Sequence, residues 1–232
     1  MTNAIILALE KLKNPEKAVL FLRYFKTGKG DYGEGDIFWG LTVPQTRSVA
    51  KKFKSAPIAD VILLLHHEVH EVRLCGLEIL CMQFKDSPKE VYEAYINNLE
   101  KVNNWDLVDL SAPKIAGAYL FDKKRRPLYD FAKSDNLWKK RIAIISTAYF
   151  IKQGEYKDTF EIAKILLNDR HDLIHKAVGW MLREVGNYLG QDVEKKFLDK
   201  YGSTMPATML RYAIEKFPKG QRQKYLLLRK NS

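Results

Sequence analysis

The sequence predicts an all-α protein, an α-solenoid of stacked helix pairs, and three observations carry that prediction. Apolar residues recur at three- and four-residue spacing through nearly every segment, as in Val72, Cys75, Leu77, Ile79 and Leu80, which is the period of a helix face. Strand-like alternation is absent. Five segments also repeat: Glu71–Leu77, Leu107–Pro113, Lys139–Ile145, Ile174–Trp180 and Met209–Glu215. Their third position reads Arg73, Asp109, Arg141, Lys176 and Arg211, at steps of 36, 32, 35 and 35 residues. A small residue (Gly76, Ala112, Ala143, Gly179, Ala213) follows two or three places later.

The elements follow from the punctuation. Met1–Glu10 reads as an amphipathic helix rather than a signal peptide, because it lacks a basic leader and meets charge early. Breaks fall at Asn14-Pro15, through Thr27–Gly40, and near Pro57, Pro88, Pro127, Gly154, Gly190, Pro206 and Pro218. Helices of roughly 10–17 residues lie between them. Asn14, Ser87 and Asn104 stand where N-caps belong. Helix pairs at this period form an array of the HEAT/armadillo kind, treated as one domain over residues 1–232. Each pair buries its apolar face against its neighbours, and the small residue lets adjacent helices approach. Stacking would put the second helix of each pair on a concave face, with the basic positions as a phosphate track along it.

The net charge of +11 and a pI near 9.4 favour a polyanionic partner, most often nucleic acid. Cys75 and Cys81 sit six apart in one helix, cannot easily bridge, and read as reduced core residues of a cytosolic protein. No apolar run approaches the length needed to span a bilayer. The stretch Thr27–Gly40 holds four glycines through Gly35, but no Walker lysine and no G-x-G-x-x-G after a strand. Its acids Asp31, Glu34 and Asp36 would repel phosphate and do not fit a calcium loop, so it reads as an ordered connection anchored by Phe38 and Trp39. The pairs His66/His70 and His171/His175 have helical spacing, yet lack the intervening glutamate and third ligand of a zinc site. No metal or cofactor is implied.

Asp109 is the exception in the repeat, a carboxylate where the other repeats carry a base. Trp105 lies four residues before it on the same helix face. Asp106, in the first turn, is expected to complement the helix dipole. Trp180 follows Lys176 by one turn, and Arg141 occupies the repeat between. Two indoles and a carboxylate suit a cation, and an arginine beside them can hold a phosphate or orient the acid. Core packing for each tryptophan, and a salt bridge to Arg141 for Asp109, are the plainer alternatives.

Gly40–Arg47 (Gly-Leu-Thr-Val-Pro-Gln-Thr-Arg), Asn104-Trp-Asp-Leu-Val-Asp109, Asp135–Arg141 and Lys176-Ala-Val-Gly-Trp-Met-Leu-Arg-Glu184 share their order and spacing with a known family. The chain resembles the AlkD-like DNA alkylation repair glycosylases, bacterial proteins built of HEAT-like repeats, over most of its length. The resemblance implies that Asp109 is the catalytic carboxylate, that Trp105 and Trp180 line the lesion site, and that Arg141 stands beside it. Arg47 matches a position near the opposite DNA strand. With Arg73, Lys176, Arg183 and Arg211 it makes up the expected DNA-binding set. Val43 stands where the family pattern has threonine, and the Thr27–Phe38 loop looks like that of a broad branch of the family.

The implied activity is monofunctional hydrolysis of the N-glycosidic bond of N3- or N7-alkylated purines in duplex DNA, without a deep base-flipping pocket. The chain is expected to act as a cytoplasmic, nucleoid-associated monomer without an obligate protein partner. The alternatives are a non-catalytic solenoid that binds DNA structures and a HEAT-like protein scaffold.

Overall fold

The computed structural model describes residues 1–230. Among these, every regular element is helical, apart from one bridge that pairs Ile37 with Val69. The chain packs as two compact units, one ending at Tyr119 and the other starting at Leu120.

The first unit contains α1 (Thr2–Glu10), α2 (Pro15–Tyr24), α3 (Val43–Lys52), α4 (Ile58–Leu65), α5 (His70–Gln83), α6 (Pro88–Ile96) and α7 (Trp105–Ser111). A π turn at Pro113–Gly117 follows and leads into the single turn α8 (Ala118–Leu120). The second unit continues with α9 (Arg126–Ala132), α10 (Leu137–Lys152), α11 (Lys157–Ile165), α12 (Asp172–Leu189), α13 (Gln191–Tyr201), α14 (Ala207–Ala213) and α15 (Lys219–Lys230). In the first unit α3, α5 and α7 pack side by side, backed by α4 and α6. In the second, α10, α12 and α14 do the same, with α9 and α11 against α10 and α13 against α12. This is the two-layer packing of helical repeats. The residues of the repeat's third position fall on α5, α7, α10, α12 and α14, the second helix of each pair.

The breaks read from sequence are where helices start and stop. Pro15 and Pro88 open α2 and α6 at the first position, where the missing N–H costs nothing. Gly154 and Gly190 end α10 and α12 with positive φ. Asn14 caps α2 by accepting from Lys17 N at 2.9 Å. Ser87 holds the corresponding place before α6, but its side chain makes no capping bond. Several helices are shorter than expected, α7 and α14 having seven residues each. Pro113, unmarked in the sequence reading, explains the first. It has no N–H to give the carbonyl of Asp109 four residues earlier, and the chain relaxes into a π turn closed by Gly117 N to Ala112 O at 2.8 Å.

The small residues of the repeat do set helix approach. A Cβ on Gly179 would lie 2.4 Å from Met209 O and 2.5 Å from Tyr212 Cβ, so α12 meets α14 almost backbone to backbone. On Gly76 a Cβ would press on Leu65 and Leu64 of α4.

Helix α5 departs from the amphipathic pattern: every residue from His70 to Leu80 is buried. A helix enclosed on all sides can keep charges only if each is paired. Glu71 accepts from the backbone N–H groups of Trp39, Gly40 and Leu41, at 2.7–3.2 Å. Glu78 accepts from Arg47 of α3 at 2.8 Å. Arg73 and His70 hold Asp36. The glycine-rich stretch is thus an ordered connection, as expected, and Phe38 is buried within it. Gly40 is required where it stands: its φ is +81°, and a Cβ there would lie 2.1 Å from Asn14 O.

Candidate functional site

Asn104 starts α7. Its side chain accepts from Trp105 N at 2.8 Å and donates to Asp36 Oδ2 at 3.1 Å, so one residue both caps the helix and ties it to the loop. Trp105 and Asp109 follow one turn apart, both half-buried. Trp105 stacks on Phe25 with centroids 5.4 Å apart and planes 16° from parallel, and meets Tyr24 edge-on at 5.8 Å. Phe25 stacks on Phe38 at 4.8 Å, and Phe38 on the imidazole of His70 at 4.6 Å. Four rings, Trp105, Phe25, Phe38 and His70, therefore form a continuous stack.

Asp106 is not simply a dipole partner. Its Oδ2 pairs with His70 Nε2 at 2.8 Å, while His70 Nδ1 pairs with Asp36 Oδ2 at 3.1 Å. Arg73 closes the cluster through Asp36 Oδ1. Burial alone would lower the pKa of His70. The charge and hydrogen bond of Asp106, then those of Asp36, reverse this and raise it to about 9. Burial likewise opposes ionisation of Asp36, yet the His70 hydrogen bond, the Arg73 guanidinium, the His70 charge and Asn104 hold its carboxyl below the usual value. The cluster thus sets two acids, Asp36 and Asp106, against two bases, His70 and Arg73. In the sequence Asp36 is legible only as one of the loop acids and His70 only as half of a histidine pair without a metal site, and nothing there joins the two. Their signal was an acid in the loop and a histidine at the start of α5, which only long-range contact could join.

A cavity of about 380 Å³ opens beside this stack, walled by Phe21, Tyr24, Phe38, Leu41 and Trp105. Glu71 and Asp106 also line it, but Glu71 is bound to loop N–H groups and Asp106 to His70. Nothing in the sequence pattern announced this cavity.

Arg141 and Trp180 belong to the second unit, on α10 and α12, which pack together. Arg141 is buried and its Nη1 donates to Leu173 O at 2.6 Å. Trp180 is half-buried, and its Nε1 donates to Glu184 Oε1 at 3.2 Å, one turn on. The constellation read from sequence is thus carried as two pairs, Trp105 with Asp109 and Arg141 with Trp180, one in each unit.

The expected DNA-binding residues divide by exposure. Arg73 is buried, and its guanidinium is held by His67 O, Glu68 O and Asp36. Its place in a phosphate track is corrected accordingly: the side chain turns inward to neutralise a buried acid. Arg47 pairs with Glu78, Lys176 with Asp172, and Arg183 with Glu215. Arg211 is exposed on α14. The carboxylate partners of Lys176 and Arg183 are exposed, so those pairs are weakly held and can be exchanged for phosphate, whereas the partner of Arg47 is buried and Arg73 itself lies in the interior.

The histidines have structural partners. His66 pairs with Asn98 at 2.6 Å, His171 caps α12 by accepting from Leu173 N, and His175 Nε2 donates to Asp169 O at 2.6 Å. Among the described residues no cluster of three or more potential metal-ligating residues occurs, and no helix is long and apolar enough to cross a membrane. Both cysteines are free thiols.

Residues 5–217 match the family model described as DNA alkylation repair enzyme. A solved structure from Enterococcus faecalis, described as a predicted DNA alkylation repair enzyme, superposes with a TM-score of 0.73. That match covers 89% of this chain and 97% of the other at 17% identity, which establishes a shared fold. No curated protein matches the chain.

Proposed function

The chain belongs to the family of DNA alkylation repair enzymes, and on that premise we propose that it hydrolyses the N-glycosidic bond of cationic N3- or N7-alkylated purines in duplex DNA. The observation that carries the reading is Asp109. It is a half-buried carboxylate one turn after Trp105, at the repeat position where the other second helices carry a base.

The chemistry suits these residues. An alkylated purine already bears positive charge and leaves as a neutral base without protonation. Water adds to the sugar C1′ as the C–N bond breaks, the bonding electrons go to the base, and the water proton is lost. What needs stabilising is the positive charge developing on the sugar. The Asp109 carboxylate supplies an anion for it and a place to hold the water. Trp105 and Trp180 offer aromatic faces to a cationic nucleotide. Arg141, buried against Leu173 O, steadies the first turn of α12, the helix that carries Trp180, while the partly exposed Arg47, Lys176, Arg183 and Arg211 engage the backbone. No lysine nucleophile is invoked, so the product is an abasic site.

The cavity beside Trp105 offers a base aromatic surfaces but no carboxylate or imidazole left over for hydrogen-bond readout. Enzymes that flip bases read them through hydrogen bonds and stacking. Here the carboxylates Glu71 and Asp106 and the His70 imidazole among the lining groups are already engaged. Discrimination then rests on charge, so cationic lesions are released and neutral ones such as uracil or hypoxanthine are not.

The test is base release from duplex DNA containing 7-methylguanine, by wild type and Asp109→Asn. Wild type releases base, and the variant loses at least about 100-fold in single-turnover rate, the scale of one lost electrostatic stabiliser. Salt-dependent DNA binding without release by either protein would instead favour a non-catalytic DNA-binding solenoid. Failure to bind DNA would favour a protein scaffold.

A further inference from the structure

We propose that His70 is a positioning residue of this site, fixing the start of α7 and with it the placement of Trp105 and Asp109. The inference rests on the base-release reading above and deepens it.

Two independent connections run from this one side chain to Trp105. The first is ionic. His70 Nε2 reaches Asp106, the residue next to Trp105, and His70 Nδ1 reaches Asp36, which also accepts from the Asn104 side chain that caps α7. His70 thus holds α7 from both sides of Trp105, through residues 104 and 106. The second is the ring stack through Phe38 and Phe25. Both partners of the imidazole are carboxylates, so both ring nitrogens must donate and only the cation satisfies the pair. Loss of the proton leaves one carboxylate facing a nitrogen lone pair inside a buried cluster. Asp106 must then move or take up water. The charged groups around the ring are Asp36 from the loop, Glu71 and Arg73 from α5, and Asp106 from α7. Glu71 is bound to backbone N–H groups and Arg73 to Asp36, so neither can replace the missing proton.

The consequence for catalysis is geometric. Trp105 and Asp109 ride on a helix of only seven residues that ends before Pro113, so a shift of its first turn is passed on to both. A displacement of about an ångström in a catalytic group can cost on the order of 100-fold in rate. The role is also consistent with the raised pKa of His70, near 9, which keeps the cation through the physiological range.

The experiment uses the full chain. The His70 ring is followed by NMR with labelled histidine between pH 6 and 10, alongside the Trp105 indole signal, assigned through Trp105→Phe. Single-turnover release of 7-methylguanine is measured over the same range, with enzyme-free controls for base loss, and binding to undamaged duplex is measured separately. The expected result is a rate that falls with the midpoint of the His70 titration while DNA binding does not change at that midpoint, and a Trp105 signal that moves with it. His70→Gln, which offers one donor nitrogen and an acceptor oxygen in place of two donor nitrogens, is expected to bind DNA like wild type and to lose roughly 10–100-fold in rate. Its residual rate should lack the alkaline fall.

A rate that stays constant through the His70 titration overturns the proposal, as does a His70→Gln protein with the wild-type rate. A His70→Gln protein that does not fold leaves the wild-type profile to decide. If wild type releases no base at any pH, the base-release reading fails by itself. The Trp105 signal then decides: movement with the His70 titration supports the positioning role, and a fixed signal overturns it.

Discussion

Gly179 is where packing of the second unit can be tested most directly, through Gly179→Ala. The added methyl would sit 2.4 Å from Met209 O, 2.5 Å from Tyr212 Cβ and 3.2 Å from Ala213 N, all on α14. Ordinary carbon contacts begin near 3.4 Å, so α14 would have to retreat by about an ångström. A carbonyl oxygen and a Cβ cannot swing aside as the end of a side chain can. Forcing an extra carbon into a packed interior costs about 1–3 kcal/mol. Alanine returns about 0.5–1 kcal/mol of helix propensity at this mid-helix position. The net expectation is a loss of about 1–2 kcal/mol.

For a chain of this size that is a fall of roughly 2–8 °C in Tm. Urea unfolding followed by tryptophan fluorescence measures it, since Trp180 lies on the same helix. Gly76→Ala is the comparison. There a Cβ would lie 2.9 Å from Leu65 Cδ2, a terminal methyl that can rotate away, so the loss should be smaller. A Gly179→Ala midpoint at or above wild type, with an unchanged denaturant slope, would refute the argument that glycine is present for close helix approach.

Two further outcomes follow from charges in the interior and on the surface. Glu194 is buried with its Oε1 unbonded; burial raises its carboxyl pKa, and Arg183 only partly offsets this, leaving it at about 8. A carboxyl raised in the fold stabilises most at low pH, and that contribution fades as pH rises from 4.5 through about 8. Glu194→Gln should therefore gain stability over wild type by about 1–3 kcal/mol above pH 8, with little gain near pH 4; equal gains at both pH values in thermal melts would contradict the sign. In DNA-binding titrations against salt, Arg211→Ala should lower the slope by about one, whereas Arg73→Ala should leave the slope unchanged and cost about 3–5 kcal/mol of stability by stripping a buried partner from Asp36. A reduced slope for Arg73→Ala would return that residue to the phosphate-facing set.

The sequence by itself determined the helical class, the helix pairs, most of their boundaries and the family. These are local or periodic properties. Proline and glycine act on their own stretch of backbone, apolar spacing reports a helix face, and a repeat reports itself. Asp109 stood out for the same reason, as a departure from a period, and Trp105 beside it followed from one helical turn. What the period could not reveal was the depth of each side chain. Arg73 and Arg211 occupy equivalent places in the repeat, yet one lies inside and the other outside. Helix α5 is enclosed on all sides, and its charges must find partners.

Only the tertiary structure decided those partners. Asp36, His70 and Asp106 lie about 35 residues apart in sequence and meet through contacts that no local pattern encodes. The same holds for the stack from Trp105 through Phe25 and Phe38, where residues from three separate segments meet. Burial removes water from charged groups, so it demands exact partnering wherever the chain happens to bring them. That demand is set by packing, and packing is a property of the folded chain.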